Sequence, residues 1–585
     1  MSSLASKLSM IVGNVFESQG LDRAYGRVGV SDRPDLAQFQ CNGAMVASKL
    51  AKKNPRELAG VLVAELQKND IFANVEIAGP GFINFKVTDE FLKSHLAKIS
   101  SDERMGVDDI GHGETAVVDY GGPNVAKAMH VGHLRAAIIG QSVVDTMKFA
   151  GYKTLGDVHL GDWGTNLGML IDHYIRNNET QTVLDLDLND EASVQGLVED
   201  MAERYPRANA EAKDDEALMD RARAAAVQLQ NKQAPYYPIW EIIREVSIRD
   251  MRKNYALLGV SFDLWKGEAD VHDYIAPMVA DLRAKGYAVD SEGAVVVPVA
   301  RNDDKKEVPP LILYKRDGAV MYGTTDLATI VERVKLYNPS KIVYVVDQRQ
   351  GLHFEQVFRA SRLGGIANDS IELTHAGFGT MNGSDGKPFK TRAGGVMRLD
   401  DLLSMAIEKA TNRMAEAHVG EGMDESEKAD IAHKVAIAAI KFADLQNARQ
   451  ADYVFDLDRL TSFEGKTGPY LLYQAVRIKS LLRKADYDIA DASPLILQDV
   501  DRPLALLLTE LPDAVEGAVK NYAPHHLCDY AYRLAQAFSS FYGNCHILSE
   551  TDEALRNSRL SLCTQTYRQL ELTLRLLGIT VPERM

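Results

Sequence analysis

The chain has 585 residues, 46% of them apolar and 25% charged, with a formal net charge of -16. That length is too great for one hydrophobic core and points to roughly three to four domains, and the composition is that of an ordinary globular protein without disordered bulk. The charge excludes a protein that coats nucleic acid through its overall field, leaving a nucleic-acid partner only at a local basic surface.

Four cysteines occur, Cys41, Cys528, Cys545 and Cys563, with no two at CxxC spacing. Neither a structural zinc site nor a disulfide framework is supported; buried thiols in a reducing cytoplasm are expected. Leu4, Leu8, Ile11, Val12 and Val15 recur at helical spacing with polar residues between them, unlike the apolar core of a signal peptide. No run is long enough to span a membrane, so a cytoplasmic location is expected.

Residues 1–112 read as a small α+β domain. A helical stretch lies near Leu58 to Leu66, and Gly79-Pro80-Gly81 separates two strand-like runs between Asn74 and Val87. In the second run Ile83, Phe85 and Val87 share one face, and Phe82, Asn84 and Lys86 share the other. A ring, an amide and a cation suit an unpaired base, but spacing alone favours a solvated sheet face with one exposed Phe.

From about 113 to 395 strands and helices alternate. Ala116 to Val118 is a short strand that runs through Gly121-Gly122-Pro123 into a helix marked by Leu134, Ile138, Ile139 and Val143 and ending near Gly151. A second strand, about Thr154 to Val158, leads into HLGDWG, giving one half of a doubly wound, Rossmann-type parallel sheet. An insertion over about 171–300 is acidic and largely helical, with LDLDLNDEAS as a solvated face and a β-rich piece at Ala294 to Val299. The second half is expected to resume at Pro310 to Tyr314, with strands at Lys341 to Val346 and Ile371 to His375, a helix from about Gln350, and a Gly/Lys-rich loop at 383–395.

After about 396 strand signals fade and a helix bundle is expected to 585. Leu471, Leu472, Ala475, Ile478, Leu481 and Leu482 form one stripe, Leu570, Leu574 and Leu577 another, and Arg477, Lys479, Arg483 and Lys484 put charge beside Tyr470 and Tyr473.

The junction after Ala116 to Val118 presents unpaired N–H groups and a positive helix end, a natural seat for phosphate. His130 and His133 stand at its first turn. Zinc ligation is the other reading of this pair, but no HExxH pattern is present. Imidazoles and Lys127 there can stabilise charge developing on an attacked phosphorus, and Lys387, Lys390 and Arg392 can close on the same phosphates; in isolation these three read as an exposed basic loop. Asp119, Tyr322, Asp326, Asp347, Gln350 and His353 fall near strand ends, where carboxylates can bind a guanidinium. Singly, each reads as a turn or capping residue, and Asp347 keeps that reading.

Five segments, DYGGPNVAKAMHVGHLR, HLGDWGTNLGMLI, YGTTDLATIVER, DGKPFKTRAGG and FEGKTGPYLLYQAVR, occur in the order found in bacterial-type arginyl-tRNA synthetases of class I, which the whole chain resembles. The resemblance implies a Rossmann-type catalytic domain between an N-terminal tRNA-contacting domain and a C-terminal anticodon-binding helix bundle. Asp119, Tyr322 and Asp326 would read the arginine side chain, and Asn124 and Gln350 would hold its amino acid end. His130, Gly132, His133, His353 and Lys390 would meet ATP. The family's KMSKS loop appears only as KPFKTR, in which Lys387 and Lys390 fit the two lysines, Arg392 is the alternative second cation, and Lys127 would supply missing charge.

By the same resemblance Asn84 and Phe85 would touch the elbow of tRNA, against the alternation that turns Phe85 inward, and Tyr470, Tyr473, Arg477 and Met585 would touch the anticodon loop. Arginine, ATP with Mg²⁺, and tRNA are the expected partners, with tRNA bound before the first step; no DNA, membrane, zinc or protein-held metal is expected, and the protein should be a monomer. No editing domain is evident. The rivals are another class I nucleotidyltransferase and a non-catalytic tRNA-binding paralogue.

Overall fold

The run TAVVDY is buried along nearly its whole length, as a strand covered on both faces must be. In a computed structural model describing residues 3–33, 36–316, 318–383, 385–387, 389, 397–488 and 495–585, this strand, Thr115–Tyr120, lies inside a parallel sheet. The order across the sheet is Glu372–His375, Lys341–Val345, Thr115–Tyr120, Lys153–Asp157. The helix Leu134–Phe149 connects the last two, while the chain reaches Lys341–Val345 on the opposite side, so the order reverses beside Thr115–Tyr120. Carboxyl ends of strands at such a reversal open a crevice for ligands. The doubly wound architecture read from the sequence is therefore present, with strand limits within a residue or two.

One strand sits elsewhere. Leu311–Tyr314, expected to restart the parallel sheet, instead pairs antiparallel with Ala294–Val297, which pairs with Val289–Ser291. The reason lies in its alternation, with Leu311 and Leu313 buried and Ile312 40% exposed, which suits a sheet covered on one face only. The insertion is helical over Thr165–Arg176, Thr180–Leu184, Glu191–Asp214, Glu216–Gln230 and Tyr236–Leu257.

Two compact units result, one of residues 111–462 and one of 1–110 with 463–585. The helices Leu399–Glu416 and Glu425–Leu445 pack together and belong to the first, which thus extends past residue 395. In its interior Arg135 forms an ion pair with Asp444 at 2.9 Å, and its guanidinium donates to the carbonyls of Gly379 (2.6 Å) and Ala451 (3.2 Å). Both partners are almost wholly covered, so removing one strands the other charge. Asp444→Ala is expected to lower unfolding free energy by about 3 kcal/mol in urea titration; a loss under about 1 kcal/mol would refute this account of the pair.

In the second unit the N-terminal strands run in the order Val28–Val30, Phe39–Cys41, Phe82–Val87, Phe72–Ala78, all antiparallel. Phe85 is 1% exposed and lies against Phe72, ring centroids 5.3 Å apart. The expectation that it meets a tRNA elbow is corrected: its ring faces the core, as alternation with Ile83 and Val87 requires. Asn84 is also largely covered, its Oδ1 accepting from Gln40 Nε2 at 2.9 Å, whereas Lys86 on the same face is open. Arg502, from the C-terminal part, pairs with Asp89 and donates to the Val87 carbonyl, and Arg568 donates to the Ser100 carbonyl at 2.8 Å. The helices Gly468–Lys484, Leu511–Asn521, His525–Asn544 and Glu553–Leu576 form the expected bundle. All four cysteines are buried free thiols, and no helix among the described residues is long and apolar enough to cross a membrane.

Candidate active site

The strand Thr115–Tyr120 ends in Gly121 with φ of +89°, where an added Cβ would lie 2.8 Å from the Tyr255 hydroxyl. Only glycine allows this turn, which delivers Pro123 and Asn124 to the crevice. There the chain pairs with HLGDWG: Val125 N–H donates to Gly161 O and Gly161 N–H to Pro123 O. A Cβ at Gly161 would stand 2.2 Å from Asn124 Oδ1, so the glycine makes room for that amide, which is exposed.

His130 precedes a helical turn, Val131–His133, which continues into Leu134–Phe149. Its Nδ1 accepts the Gly132 N–H (3.1 Å), and His133 Nδ1 accepts the His130 N–H (3.2 Å); the rings stack with centroids 4.0 Å apart. An imidazole whose Nδ1 accepts a hydrogen bond carries its proton on Nε2, so each presents an Nε2–H donor. Burial, with His130 and Lys127 adding to it, pushes His133 down to about 3; burial and then Lys127 also lower His130. Both are thus neutral donors near pH 7.

The segment carrying the Gly/Lys loop is tied at both ends. Met381–Asn382 pairs with Tyr453–Val454, and beyond the loop Val131 N–H donates to Met397 O and Leu399 N–H to Met129 O. Lys387 is exposed in a turn closed by Gly383 N–H to its carbonyl and by its own N–H to Asp385 Oδ1. Lys390 and Arg392 lie outside the described residues.

Across the crevice, Tyr322 opens the helix Tyr322–Tyr337, with Asp326 one turn on. Asp326 Oδ2 lies 2.6 Å from His353 Nε2, and the Tyr322 and His353 rings are 4.7 Å apart, so these three predicted residues converge. Gln350 is exposed at the N-cap of Gly351–Gly364, and Asp347 caps the preceding turn.

Asp119 is different. Aligned with Asp157 across the sheet, it shares the buried guanidinium of Arg333, at 2.5 and 2.6 Å respectively. Burial raises the Asp119 carboxyl, and Arg333 offsets part of that rise. His159, half-buried, is disfavoured as a cation by desolvation but raised by Asp119 and Asp157. Asp119, Asp157 and His159 bring their ligand atoms within 4.8 Å of one another, the spacing of a metal site. The Arg333 guanidinium already stands where a cation would.

Sequence reasoning missed Glu268. Burial and then nearby Asp162 and Asp326 push its carboxyl up to about 7, against His159 and the Trp163 N–H. The turn bearing it is fixed by Asp162, which accepts the Ala269 N–H (2.9 Å) and pairs with Arg244 at 2.6 Å. No motif marks WKGEAD; only the fold brings it to Asp326.

In the other unit, Tyr473 is 43% exposed and Arg477 lies 4.3 Å over the ring of Tyr542. Tyr470 packs on Tyr532, with Lys466 over the same ring at 5.8 Å. Met585 is half-buried. Rings interleaved with cations suit unpaired bases; Tyr532 and Tyr542 were not singled out from sequence.

A histidine-bearing helix start over the reversal of a parallel sheet places this chain among proteins with a class I synthetase catalytic domain, and residues 95–457 match the family model described as tRNA synthetases class I (R), catalytic domain. Residues 3–87 match the arginyl tRNA synthetase N terminal domain, and residues 471–585 the DALR anticodon binding domain. The chain belongs to the arginine–tRNA ligase family. It is 46% identical over 590 residues to the arginine–tRNA ligase of Alkaliphilus oremlandii and 46% identical over 591 to that of Hyphomonas neptunium, with 100% of each chain covered. Among solved structures, the arginyl-tRNA synthetase of Plasmodium falciparum matches with a TM-score of 0.84 at 25% identity, covering 100% of both chains. That of Thermus thermophilus matches in fold with a TM-score of 0.81 at 21% identity, again over 100% of both.

Proposed function

We propose that the protein joins arginine to tRNA in two steps. The arginine carboxylate attacks the α-phosphate of ATP, giving arginyl-adenylate and pyrophosphate; a hydroxyl of the terminal ribose of tRNA then attacks the adenylate carbonyl, forming the arginyl ester and releasing AMP. The observation that carries this reading is the pairing, in one crevice, of two neutral Nε2–H donors with a cluster of carboxylates. His130 and His133 would stabilise charge growing on the α-phosphate, and Gly132 would let the phosphate approach their backbone. Lys127 and the loop cations Lys387, Lys390 and Arg392 would meet the rest of the triphosphate. Tyr322, Asp326 and Glu268 would enclose the guanidinium, with Asp119 held behind them by Arg333. Asn124 and Gln350 would hold the amino acid end, and His353, fixed by Asp326, would lie beside the adenosine.

ATP would enter as its Mg²⁺ complex, the ion resting on phosphate oxygens rather than in a protein cage. Residues 1–110 would contact tRNA with Asn84, aided by Lys86, and the helical part with Tyr470, Tyr473, Arg477 and Met585. Salt-sensitive binding at a few basic patches is expected of so acidic a chain. The test is pyrophosphate exchange with each amino acid, with and without cognate tRNA. Arginine alone should support it, and only with tRNA present. No arginine-dependent exchange with tRNA would overturn the reading; exchange with another amino acid would assign a different synthetase.

A further inference from the structure

The helical insertion, which the reaction scheme leaves without a task, touches the signature segment at Lys127. Ala126, with φ of +64°, donates its N–H to Ser247 Oγ at 3.0 Å, and Ser247 in turn donates to Ile243 O, both on the insertion helix Tyr236–Leu257. One residue on, Lys127 Nζ lies 4.8 Å from the ring centroid of Tyr205, which is 8% exposed on the insertion helix Glu191–Asp214. Backbone and side chain of the same short turn are thus held by two insertion helices. The cleft around Lys127 is also lined by Glu199 and Asp250. An ammonium freed from the ring would meet these carboxylates, on the insertion side, and be drawn from the histidines.

We propose that Tyr205 is a positioning residue for adenylation: its ring holds the Lys127 ammonium beside His130 and His133 and keeps it from Glu199 and Asp250. A ring face attracts a cation without neutralising it, so Lys127 keeps its full charge for an incoming phosphate, which a carboxylate partner would cancel. The proposal rests on the reading that Lys127 meets the triphosphate.

The test is tRNA-dependent pyrophosphate exchange, measuring kcat and KM for ATP and for arginine in Tyr205→Leu, Tyr205→Phe, Lys127→Met and Tyr205→Leu/Lys127→Met. Tyr205→Leu should lower kcat by about tenfold, the scale of a partly desolvated cation–ring contact, with KM for arginine unchanged. Tyr205→Phe keeps the ring and should stay within about twofold of the parent. With Lys127 already replaced, Tyr205→Leu should cost nothing more. An equal loss in the Lys127→Met background would show that Tyr205 only supports the fold, and an equal loss in Tyr205→Phe would assign the effect to the hydroxyl; either overturns the proposal. If Lys127→Met is impaired and Tyr205→Leu is not, the positioning role alone falls. If Lys127→Met is fully active, the reading of Lys127 falls with it.

Discussion

Glu268→Gln is expected to lower kcat/KM for arginine by about a thousandfold, near 4 kcal/mol, while KM for ATP stays within about twofold. The substitution keeps the shape and removes one of the two carboxylates, Glu268 and Asp326, that would enclose the buried guanidinium, leaving its charge only partly compensated. The size follows from burial: at the surface such a pair would contribute little. A second signature follows from the carboxyl standing near 7, raised by burial first and then by Asp162 and Asp326. Below that pH the parent carries a neutral acid and cannot pair, so KM for arginine should rise as pH falls from 7 to 6 and be flat from 8 upward. Arginine binding near pH 7 should release a proton, visible in calorimetry as a heat that depends on the buffer. The variant should show neither effect. A parent KM flat between pH 6 and 8, together with a mild loss in the variant, would remove Glu268 from the arginine pocket.

The second large effect is expected at His133. Replacing it with Ala should cost several hundredfold in kcat of pyrophosphate exchange with little change in KM for ATP, as for loss of one preorganised donor to a transition-state oxyanion. Its Nδ1 is occupied by the His130 N–H, and burial, with His130 and Lys127 adding to it, holds it down to about 3, so it acts as a fixed donor and not as a proton shuttle. Two consequences follow. The rate should show no limb between pH 6 and 8 that disappears in the variant, and Gln, whose amide nitrogen reaches toward the place of Nε2, should recover part of the loss. A His133→Ala enzyme that keeps its kcat and loses only KM for ATP would contradict this role.

What the sequence revealed depended on how local the physics was. His130 and His133 could be read because a helix start is built from neighbours: a strand, a glycine turn, and first-turn side chains. Phe85 could be placed in the core because alternation along a strand depends on two-residue spacing alone. Leu311–Tyr314 lies outside the parallel sheet that its position in the chain suggests, because a four-residue apolar run carries no mark of the strand it will pair with; Ala294–Val297 decides that from outside the run. Glu268 was invisible for a stronger version of the same reason. Its segment joins the site by lying beside Leu160, more than a hundred residues earlier, through Leu160 N–H to Lys266 O and Glu268 N–H to Leu160 O. The buried guanidinium between Asp119 and Asp157 belongs to this class too, since its meaning appears only when the helix Tyr322–Tyr337 is laid over the two strands.

The unit made of residues 1–110 and 463–585 imposes an order on synthesis. Its first part leaves the ribosome with the Val87 and Ser100 carbonyls and the Asp89 carboxylate still lacking Arg568 and Arg502, which are made only after residues 111–462. At roughly 5–20 residues per second that interval is on the order of tens of seconds, ample for the contiguous middle unit to fold as it emerges. Residues 1–110 therefore wait for their partners in 463–585 until the middle unit has been made, so the segment made before that unit is completed only after it.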